Sequence, residues 1–384
     1  MFFHQTHAST DADTSARSLP RAIVCHDGEL PKSAVYGPTA TLMLLDDINK
    51  LLPLTEASEA ITERPHKRAR LGNSESESFG SLGLADGIYE ASRIQNTGNF
   101  RLRENVANKH LDSFFEVVHS IYPIIPEDTF RGIWLGFWDS PLPAEETTGS
   151  LQWQCLMHSV LALGALYMNT PQDAKWAAGY FVEAQKLIWS LFDGARLLTV
   201  QASMLMAVYA HHTSQPNVAY NYLGVAIRFA YTLGINDMNV PMPDGVEFES
   251  AVSLWWSIYS LESDICLEYG RALSIRERDA KAPYPSEEMS EDGENFSKFV
   301  FITVMAKFGR ILRKVIDLAS DISERKSNLQ SFVGRLMNHQ AELMTWRGEL
   351  PAHLAPKDIA PTGDPQAWDE IPWAQHQRCE IELR

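Results

Sequence analysis

A series of long apolar stretches with helical spacing begins near Asn105 and occupies most of the chain. In the segment LDSFFEVVHSIY the apolar residues recur at intervals of three and four, which is the period of one face of an α-helix. Residues 150–169 and 197–215 are apolar nearly all round, as expected of helices buried on every side. Alternating β-branched runs are scarce. The pattern predicts an all-α class, a large multi-helix domain of successive antiparallel helix pairs.

Proline and glycine mark several of the predicted helix ends. Pro123 stops the first long helix, and Gly234 and Gly270 each follow an apolar periodic stretch. A residue without Cβ adopts positive φ at little cost, so glycine often ends a helix. Besides the helix that enters Gly270, the sequence predicts helices over residues 106–122, 127–138, 150–169, 174–192, 197–215, 217–235, 295–320 and 328–354.

Composition excludes several broad classes of protein. Of 384 residues, 45% are hydrophobic and 21% charged, as in globular proteins. The longest apolar run, 160–168, is about half of the roughly 18 residues that a membrane span needs. The net charge of −16 opposes direct binding to DNA phosphates, because that affinity comes largely from Lys and Arg. The four cysteines lie more than a hundred residues apart, so the sequence predicts no local zinc site and no disulfide scaffold.

The N-terminal quarter has a different character from the rest of the chain. Residues 1–34 are small and polar without helical or strand period, which predicts disorder, and 35–54 predict a short amphipathic helix. Residues 55–98 form a low-complexity linker, and the helical domain occupies 99–384. The linker contains RPHKRARL, in which a basic cluster is a candidate nuclear-import signal; an ordinary solvated charge run is the alternative. The basic residues are Arg64, Lys67, Arg68 and Arg70.

The stretch LWWSIYSLESDICLEYGRALSI, residues 254–275, concentrates acids near an arginine and could suggest a catalytic site. Glu262 and Asp264 are two apart, so on a helix they face different directions. Asp264 and Glu268 share a face, but as like charges they indicate a solvated stripe, and Arg271 lies three residues after Glu268, where it could pair with it. The sequence therefore predicts no catalytic residue in this stretch.

Other motifs with chemistry are missing from the sequence. It contains no nucleophile elbow, phosphate-binding loop, dinucleotide fingerprint, zinc-protease motif or EF-hand loop. The adjacent pair His211–His212 projects about a hundred degrees apart on a helix, which is poor for chelation. Six tryptophans lie within apolar helical stretches and are predicted to pack in the core: Trp153, Trp176, Trp189, Trp255, Trp256 and Trp346.

Several segments, in a fixed order, resemble a known family. They are YGPTATLMLLDDI, LDSFFEVVHSIYPIIPEDTF, YFVEAQKLI, LLTVQASMLMAVY, AYNYLGVAIRFAYTLGI and LMTWRGELPAHL. Between the last two lies a Leu-Trp-Trp-Ser-x-Tyr helix that runs into Gly-Arg and an isoleucine. This order resembles the fungal-specific transcription factor domain, the middle homology region of fungal binuclear zinc-cluster regulators, over residues 36–384. The structural signature residues are Trp255, Trp256, Tyr259, Gly270 and Arg271.

The resemblance implies a regulator of RNA polymerase II transcription in the nucleus, serving a secondary-metabolite or other metabolic pathway. It implies other transcription proteins as partners, a homo- or heterodimer, a small-molecule effector and no membrane. Zinc is expected in the family, but its six-cysteine cluster is absent from this sequence, so no cofactor is predicted and DNA binding is expected to be indirect or lost. Two alternatives stay open: a small-molecule-binding helical protein or pathway enzyme, and a non-functional remnant.

The chain also departs from the family pattern. It has EFESAVS (247–253) where the family has an arginine-rich run, Glu262-Ser263 in place of Asp-Arg, and Ala272 in place of proline. The sequence ends at Arg384 within a stretch resembling a helix that continues in the family. The expectation from this is a domain truncated at its C-terminus.

Overall fold

The computed structural model describes residues 21–25, 32–36, 100–139, 151–168, 170–237, 239, 247–285, 299–323, 329–351 and 354. The candidate nuclear-import cluster lies outside the described residues. So does the predicted amphipathic helix of residues 35–54, apart from its first two residues, which end a strand at Tyr36.

Two short strands precede the helical domain. Strand β1 (Arg21–Cys25) pairs antiparallel with β2 (Lys32–Tyr36), with Arg21 opposite Tyr36 and Cys25 opposite Lys32. The sequence analysis predicted disorder over 1–34 and no strand there, whereas the structure describes strands at Arg21–Cys25 and Lys32–Tyr36. The missed signal is short: RAIVC and KSAVY each place only a few residues of good strand propensity together.

The remaining described elements are helical, which confirms the predicted all-α class. The first helix continues from its α-helical part through a π-helical turn (Phe114–Val118) and a short α-helical turn (His119–Ile121). The longer helices among the described residues are α1 (Glu104–Ser113), α2 (Glu127–Asp139), α3 (Leu151–Tyr167), α4 (Pro171–Ile188), α5 (Leu197–His212), α6 (Pro216–Leu233), α7 (Phe248–Tyr269), α8 (Phe299–Ser323) and α9 (Leu329–Gly348).

Helices α3 and α5 form the centre of the core. Each buries twelve residues, out of 17 in α3 and 16 in α5, so both are covered on all sides as the sequence predicted. Helix α3 packs against α1, α4 and α5, and α5 packs against α6. Helices α7, α8 and α9 then pack in succession. None of the helices in the described ranges is long and apolar enough to cross a membrane.

Local sequence signals define the ends of the central helices. The side chain of Thr170 accepts a hydrogen bond from the backbone N–H of Asp173 and caps α4, whose first residue is Pro171. Pro216 begins α6, and Gly234 ends it in the left-handed region with φ of 74°. These signals explain why the observed boundaries lie within a few residues of the predicted ones.

The contact between α1 and α3 depends on a glycine. A Cβ added to Gly164 would lie 1.8 Å from the carbonyl oxygen of His110, so the two backbones approach more closely than any side chain permits. His110 is buried at the same contact. Its Nε2 lies 3.0 Å from Asp173 Oδ1 and its Nδ1 lies 3.2 Å from the Tyr180 hydroxyl, which ties α1 to α4.

The tryptophan prediction is correct for most of its members and wrong for one. Trp153, Trp255 and Trp256 are buried, and Trp176 and Trp346 are partly buried against the two hydrophobic clusters. Trp189 is 68% exposed. It begins a 3₁₀ turn beyond the end of α4 and stacks on Phe192, itself exposed, with ring centroids 5.7 Å apart.

Candidate functional site

The signature segment, residues 254–275, comprises most of α7 and the turn that follows this helix. Helix α7 ends at Gly270, with φ of 63°, and the backbone N–H of Arg271 donates to the carbonyl of Cys266 at 3.0 Å. The sequence predicted this glycine stop. The chain then returns beside the helix, since the indole Nε1 of Trp256 donates to the carbonyl of Pro283 at 2.5 Å. Residues 270–285 thus form a returning loop held against α7.

Glu262 anchors this returning loop from inside the protein. Its side chain is fully buried. The backbone N–H of Ser274 donates to Oε1 at 2.5 Å, and the backbone nitrogen of Ile275 lies 3.3 and 3.2 Å from Oε1 and Oε2. A carboxylate that accepts backbone N–H groups in this way replaces the water it loses on burial.

The charge partner of Glu262 is Arg313 on α8. The guanidinium Nη2 donates to Glu262 Oε2 at 2.7 Å, and both side chains are buried. The guanidinium donates three further hydrogen bonds. Its Nε donates to Ser263 Oγ at 2.9 Å, Nη1 to the carbonyl of Ile275 at 2.8 Å, and Nη2 to the carbonyl of Tyr259 at 3.0 Å. Arg313 therefore contacts α7 and the returning loop together.

Aromatic rings and a second ion pair cover this charged centre. The guanidinium carbon of Arg313 lies 3.8 Å from the centroid of the Tyr259 ring, a cation–π contact. The Tyr259 hydroxyl donates to Glu277 Oε2 at 2.6 Å, and burial raises the pKa of Tyr259. Arg310 Nε lies 2.8 Å from Glu277 Oε1, and its guanidinium stands over the Trp256 ring at 5.2 Å.

This arrangement fastens α7, the returning loop and α8 to one another. Nε, Nη1 and Nη2 of Arg313 all donate to protein atoms, and both oxygens of Glu262 accept from protein donors. The hydrogen bonds of the pair are thus directed at the protein itself rather than at a substrate. A buried pair with these extra hydrogen bonds favours one arrangement of the helices, and removal of one member leaves an uncompensated charge.

The acids of the signature segment do not meet in the structure. Glu262 points into the protein, whereas the side chain of Glu268 is 52% exposed and lies 3.6 Å from His211 Nε2. Asp264 is partly buried on α7, one helical turn before Glu268. Arg271 donates from Nη2 to Asn217 Oδ1 on α6, and its guanidinium stands over the Tyr220 ring at 4.8 Å.

Sequence reasoning missed Arg313, the residue that completes the centre. Arg313 and Glu262 are 51 residues apart, so no local spacing connects them. A signal was available within α8: Arg313 lies seven residues after Ala306 and three before Ile316, which places it on the apolar face of the helix. An arginine on the apolar face of a helix requires a buried acceptor.

His211 and His212 each lie within hydrogen-bond distance of a tyrosine hydroxyl, and Cys155 and Cys266 are buried. His211 Nδ1 lies 3.0 Å from the Tyr269 hydroxyl, and His212 Nδ1 lies 3.0 Å from the Tyr167 hydroxyl. Burial raises the pKa of the Cys155 thiol to about 12 and also raises the pKa of Cys266, so both stay protonated at neutral pH. Within the described ranges, no group of three or more His, Cys, Asp or Glu side chains could hold a metal ion.

Comparison with known families gives a match over most of the helical domain. The protein-family model described as "Fungal specific transcription factor domain" matches residues 111–348. An uncharacterised transcriptional regulatory protein of Schizosaccharomyces pombe is 28% identical over 211 residues, 51% of this chain and 26% of that protein. The transcription regulator galc of Aspergillus niger is 25% identical over 193 residues, 47% of this chain and 22% of that protein. No solved structure matches the chain.

A third relative covers more of the sequence. The terreic acid cluster-specific transcription factor atF of Aspergillus terreus is 23% identical over 315 residues, 71% of this chain and 47% of that protein. The chain therefore spans between about a fifth and a half of the length of these relatives. All three are named as regulators of transcription.

Proposed function

The chain belongs to the fungal-specific transcription factor domain family, and from this premise we propose that it regulates transcription by RNA polymerase II. The observation that carries the proposal is the extent of the match. It runs from Leu111 in α1 to Gly348, the last residue of α9. The likeness therefore covers the helical body as a whole, including the centre formed by Glu262 and Arg313.

We propose that these 384 residues act through contacts with other proteins rather than through direct contacts with DNA. The sequence contains four cysteines and a net charge of −16. Four cysteines cannot form a six-cysteine zinc cluster, and an acidic surface repels DNA phosphates. DNA contact in this proposal comes from a partner protein or from a part of the protein outside this sequence.

A tethering assay tests this function. The chain is fused to an unrelated DNA-binding domain in a fungal host that carries the cognate reporter gene. We expect the fusion to raise or lower reporter transcription relative to the DNA-binding domain alone. The Arg278→Met fusion is the matched control, because Arg278 has a 73% exposed side chain, and it should keep the effect.

The Arg313→Met fusion should lose that effect, because it removes the cation that holds α7 to α8. Immunoblots of nuclear fractions establish that each fusion is present. A wild-type fusion that reaches the nucleus and leaves the reporter at the level of the DNA-binding domain alone would contradict the proposal.

Nuclear location is part of the same proposal, and the residues that support it are Arg64, Lys67, Arg68 and Arg70. Residues 55–80 fused to a fluorescent protein should accumulate in the nucleus. Replacement of the four basic residues by alanine should return the signal to the whole cell. Diffuse fluorescence of the unchanged segment would show that it is an ordinary solvated charge run.

We further propose that the regulated genes belong to a metabolic pathway. The support is the name of the relative from A. terreus, a cluster-specific factor. Deletion of the gene in its host, followed by RNA sequencing, should change transcripts of a coherent set of enzymes. If every transcript is unchanged under conditions where the gene is expressed, the non-functional remnant becomes the better account.

A further inference from the structure

Four exposed cations lie on α1, on the segment just before it and on α4, and none of them forms an ion pair within the part of the chain that the structure describes. They are Arg101, Arg103, Lys109 and Lys175, and we call them the basic patch. Unpaired cations in one place are unexpected in a chain with 49 acidic and 33 basic residues. Their surroundings explain why no acid of this chain neutralises them.

Aromatic contacts hold the segment before α1 on α4. The Phe100 ring lies 5.4 Å from the Trp176 ring and 5.1 Å from the Tyr180 ring, measured between centroids, and Arg101 follows Phe100 directly. The guanidinium carbon of Arg103 lies 5.9 Å from the centroid of the Trp176 ring, a cation–π contact. Both arginines are therefore held beside α4.

The two lysines lie at the other end of the same contact between helices. Lys109 directly precedes His110, whose Nε2 lies 3.0 Å from Asp173 Oδ1 in the first turn of α4, and Lys175 follows Asp173 by two residues. Asp173 pairs with neither lysine. Its Oδ1 faces the imidazole of His110, and its Oδ2 accepts a hydrogen bond from the Thr170 hydroxyl. The contact between α1 and α4 thus has a surplus of positive charge.

The acidic residues of α1 lie towards α2 instead. Asp112 Oδ1 accepts a hydrogen bond at 2.8 Å from Nη1 of Arg131 on α2. Glu104 is four residues before Asn108 and shares its face of the helix, and Asn108 Oδ1 accepts a hydrogen bond at 2.7 Å from the indole of Trp134 on α2. Helix α1 therefore directs its acids to one neighbour and its cations to the other.

We propose that the basic patch binds an acidic segment of a partner protein. Arginine and lysine donate strong hydrogen bonds to carboxylates, and an arginine can hold one carboxylate with two of them. Tryptophan and arginine also contribute much of the binding energy of protein interfaces, and Trp176 is only partly buried. A short run of Asp and Glu side chains in the partner matches this surface in charge.

A protein segment fits the patch better than a DNA duplex does. Proteins that bind duplex DNA make roughly 6–10 phosphate contacts, more than the four cations of the patch supply. The net charge of −16 also repels a long polyanion, because a duplex extends beyond the patch over the acidic remainder of the surface. A short acidic segment avoids that repulsion.

The proposal rests on the proposed function, since it names the kind of partner through which the regulator acts. The two fail separately, because binding is measured on the purified chain and regulation on a reporter gene. A chain that binds the acidic probe while its tethered fusion leaves the reporter unchanged contradicts the function alone. A fusion that acts on the reporter while the purified chain ignores the probe contradicts the patch alone.

Fluorescence anisotropy of a fluorescein-labelled glutamate oligomer, titrated with the purified 384-residue chain, tests the patch. We expect saturable binding at about 50 mM salt that weakens as salt is added, because salt screens exposed charges. A glutamine oligomer of the same length, which has no charge, should not bind.

Two fourfold variants locate the binding. The patch variant replaces all four cations of the basic patch by glutamine and should raise the Kd for the glutamate oligomer at least about fivefold, because several modest ion pairs are lost together. The control variant makes the same change of net charge at exposed arginines elsewhere that also lack an ion pair in the described ranges, and its Kd should stay within about twofold. Its positions are Arg196, Arg228, Arg276 and Arg347.

A smaller variant guards against loss of folding in the patch variant. Lys109→Gln/Lys175→Gln leaves the contact of Arg103 with Trp176 intact and should still raise the Kd about twofold or more. Circular dichroism spectra should be the same for all of these proteins, because every substituted side chain is exposed.

Three results would overturn the proposal. Equal weakening in the patch and control variants would mean that the oligomer responds to net charge alone. Tighter binding to a DNA duplex than to the glutamate oligomer, lost in the patch variant, would assign the surface to nucleic acid. Self-association of the chain that only the patch variant abolishes would assign it to a second copy.

Discussion

The α3–α5 core and the α7–α8 contact hold helices together in different ways. Helices α3 and α5 bury apolar residues on all sides, so their contact depends on the total of many small dispersion and hydrophobic contributions. The α7–α8 contact also buries apolar residues such as Ile302 and Ala306, and it adds one buried ion pair, Glu262 with Arg313, that holds the returning loop as well. The first contact tolerates substitutions of similar volume. The second should weaken strongly when either charge is removed, because the remaining charge stays buried without its partner.

The largest expected effect is on the charged contact. Arg313→Met should lower the free energy of unfolding by about 3–5 kcal/mol, because it leaves the Glu262 carboxylate buried without its cation. Urea denaturation followed by circular dichroism measures the change. Arg278→Met, at an exposed position, should stay within about 0.5 kcal/mol of the unchanged protein. Equal losses of stability in the two variants would show that the Glu262–Arg313 pair contributes no more to the free energy of unfolding than an exposed arginine does.

Within the apolar core, stability should be most sensitive to added volume where α1 and α3 approach each other at Gly164. Gly164→Ala forces a Cβ against the backbone of α1, 1.8 Å from the His110 carbonyl oxygen, and should cost about 1–3 kcal/mol. Gly224→Ala in α6 is the matched control, since no atom lies within 4 Å of its added Cβ. That variant should be neutral or up to about 1 kcal/mol more stable, because alanine favours helix. A Gly164→Ala protein as stable as the unchanged one would contradict the close approach of α1 and α3.

The sequence predicted the features that depend on neighbouring residues and missed those that depend on contacts between distant parts of the chain. Helix positions followed from apolar spacing and from local stops such as Gly234 and Gly270, because both signals lie within a few residues. The Glu262–Arg313 pair and the exposure of Trp189 depend on which helices come together in space. The strand pair was missed because each strand has only five residues, too few for a clear alternation. The sequence excluded a carboxylate site but did not predict that Glu262 is buried.

Low pH should decrease the free energy of unfolding through two histidines of the helices around the apolar core, His110 in α1 and His158 in α3. Burial lowers the pKa of His158 to about 4, and burial is also the main cause of the lowered pKa of His110. Both side chains are therefore neutral in the folded protein at pH values where the unfolded chain already binds protons. Their contribution is complete above about pH 6.5 and declines as pH falls, by up to about 1.4 kcal/mol per pH unit for each group.

Urea denaturation between about pH 7 and pH 4.5, a range that spans the unfolded pKa of histidine, measures this decline. The variant His158→Phe should have a shallower dependence on pH than the unchanged protein, because one imidazole with a lowered pKa is gone. An identical pH dependence in the two proteins would exclude His158 as a contributor.

The smallest expected effect is at the aromatic pair outside both regions. Trp189 is 68% exposed and stacks on Phe192. Trp189→Ala should lower stability by no more than about 1.5 kcal/mol, the range of a single aromatic pair. The same denaturation experiment checks it. A loss as large as that of Arg313→Met would mean that Trp189 is buried, as its apolar sequence surroundings predicted.

A double-mutant cycle on Glu262 and Arg313 tests the central claim most directly, that this pair joins α7 to α8 through mutual compensation of buried charge. The variants are Glu262→Met, Arg313→Met and both together, compared by urea denaturation. We expect each single variant to be strongly destabilised and the double variant to lose much less than the sum, with a coupling of about 2–3 kcal/mol. Losses that simply add, within about 0.5 kcal/mol, would contradict the account.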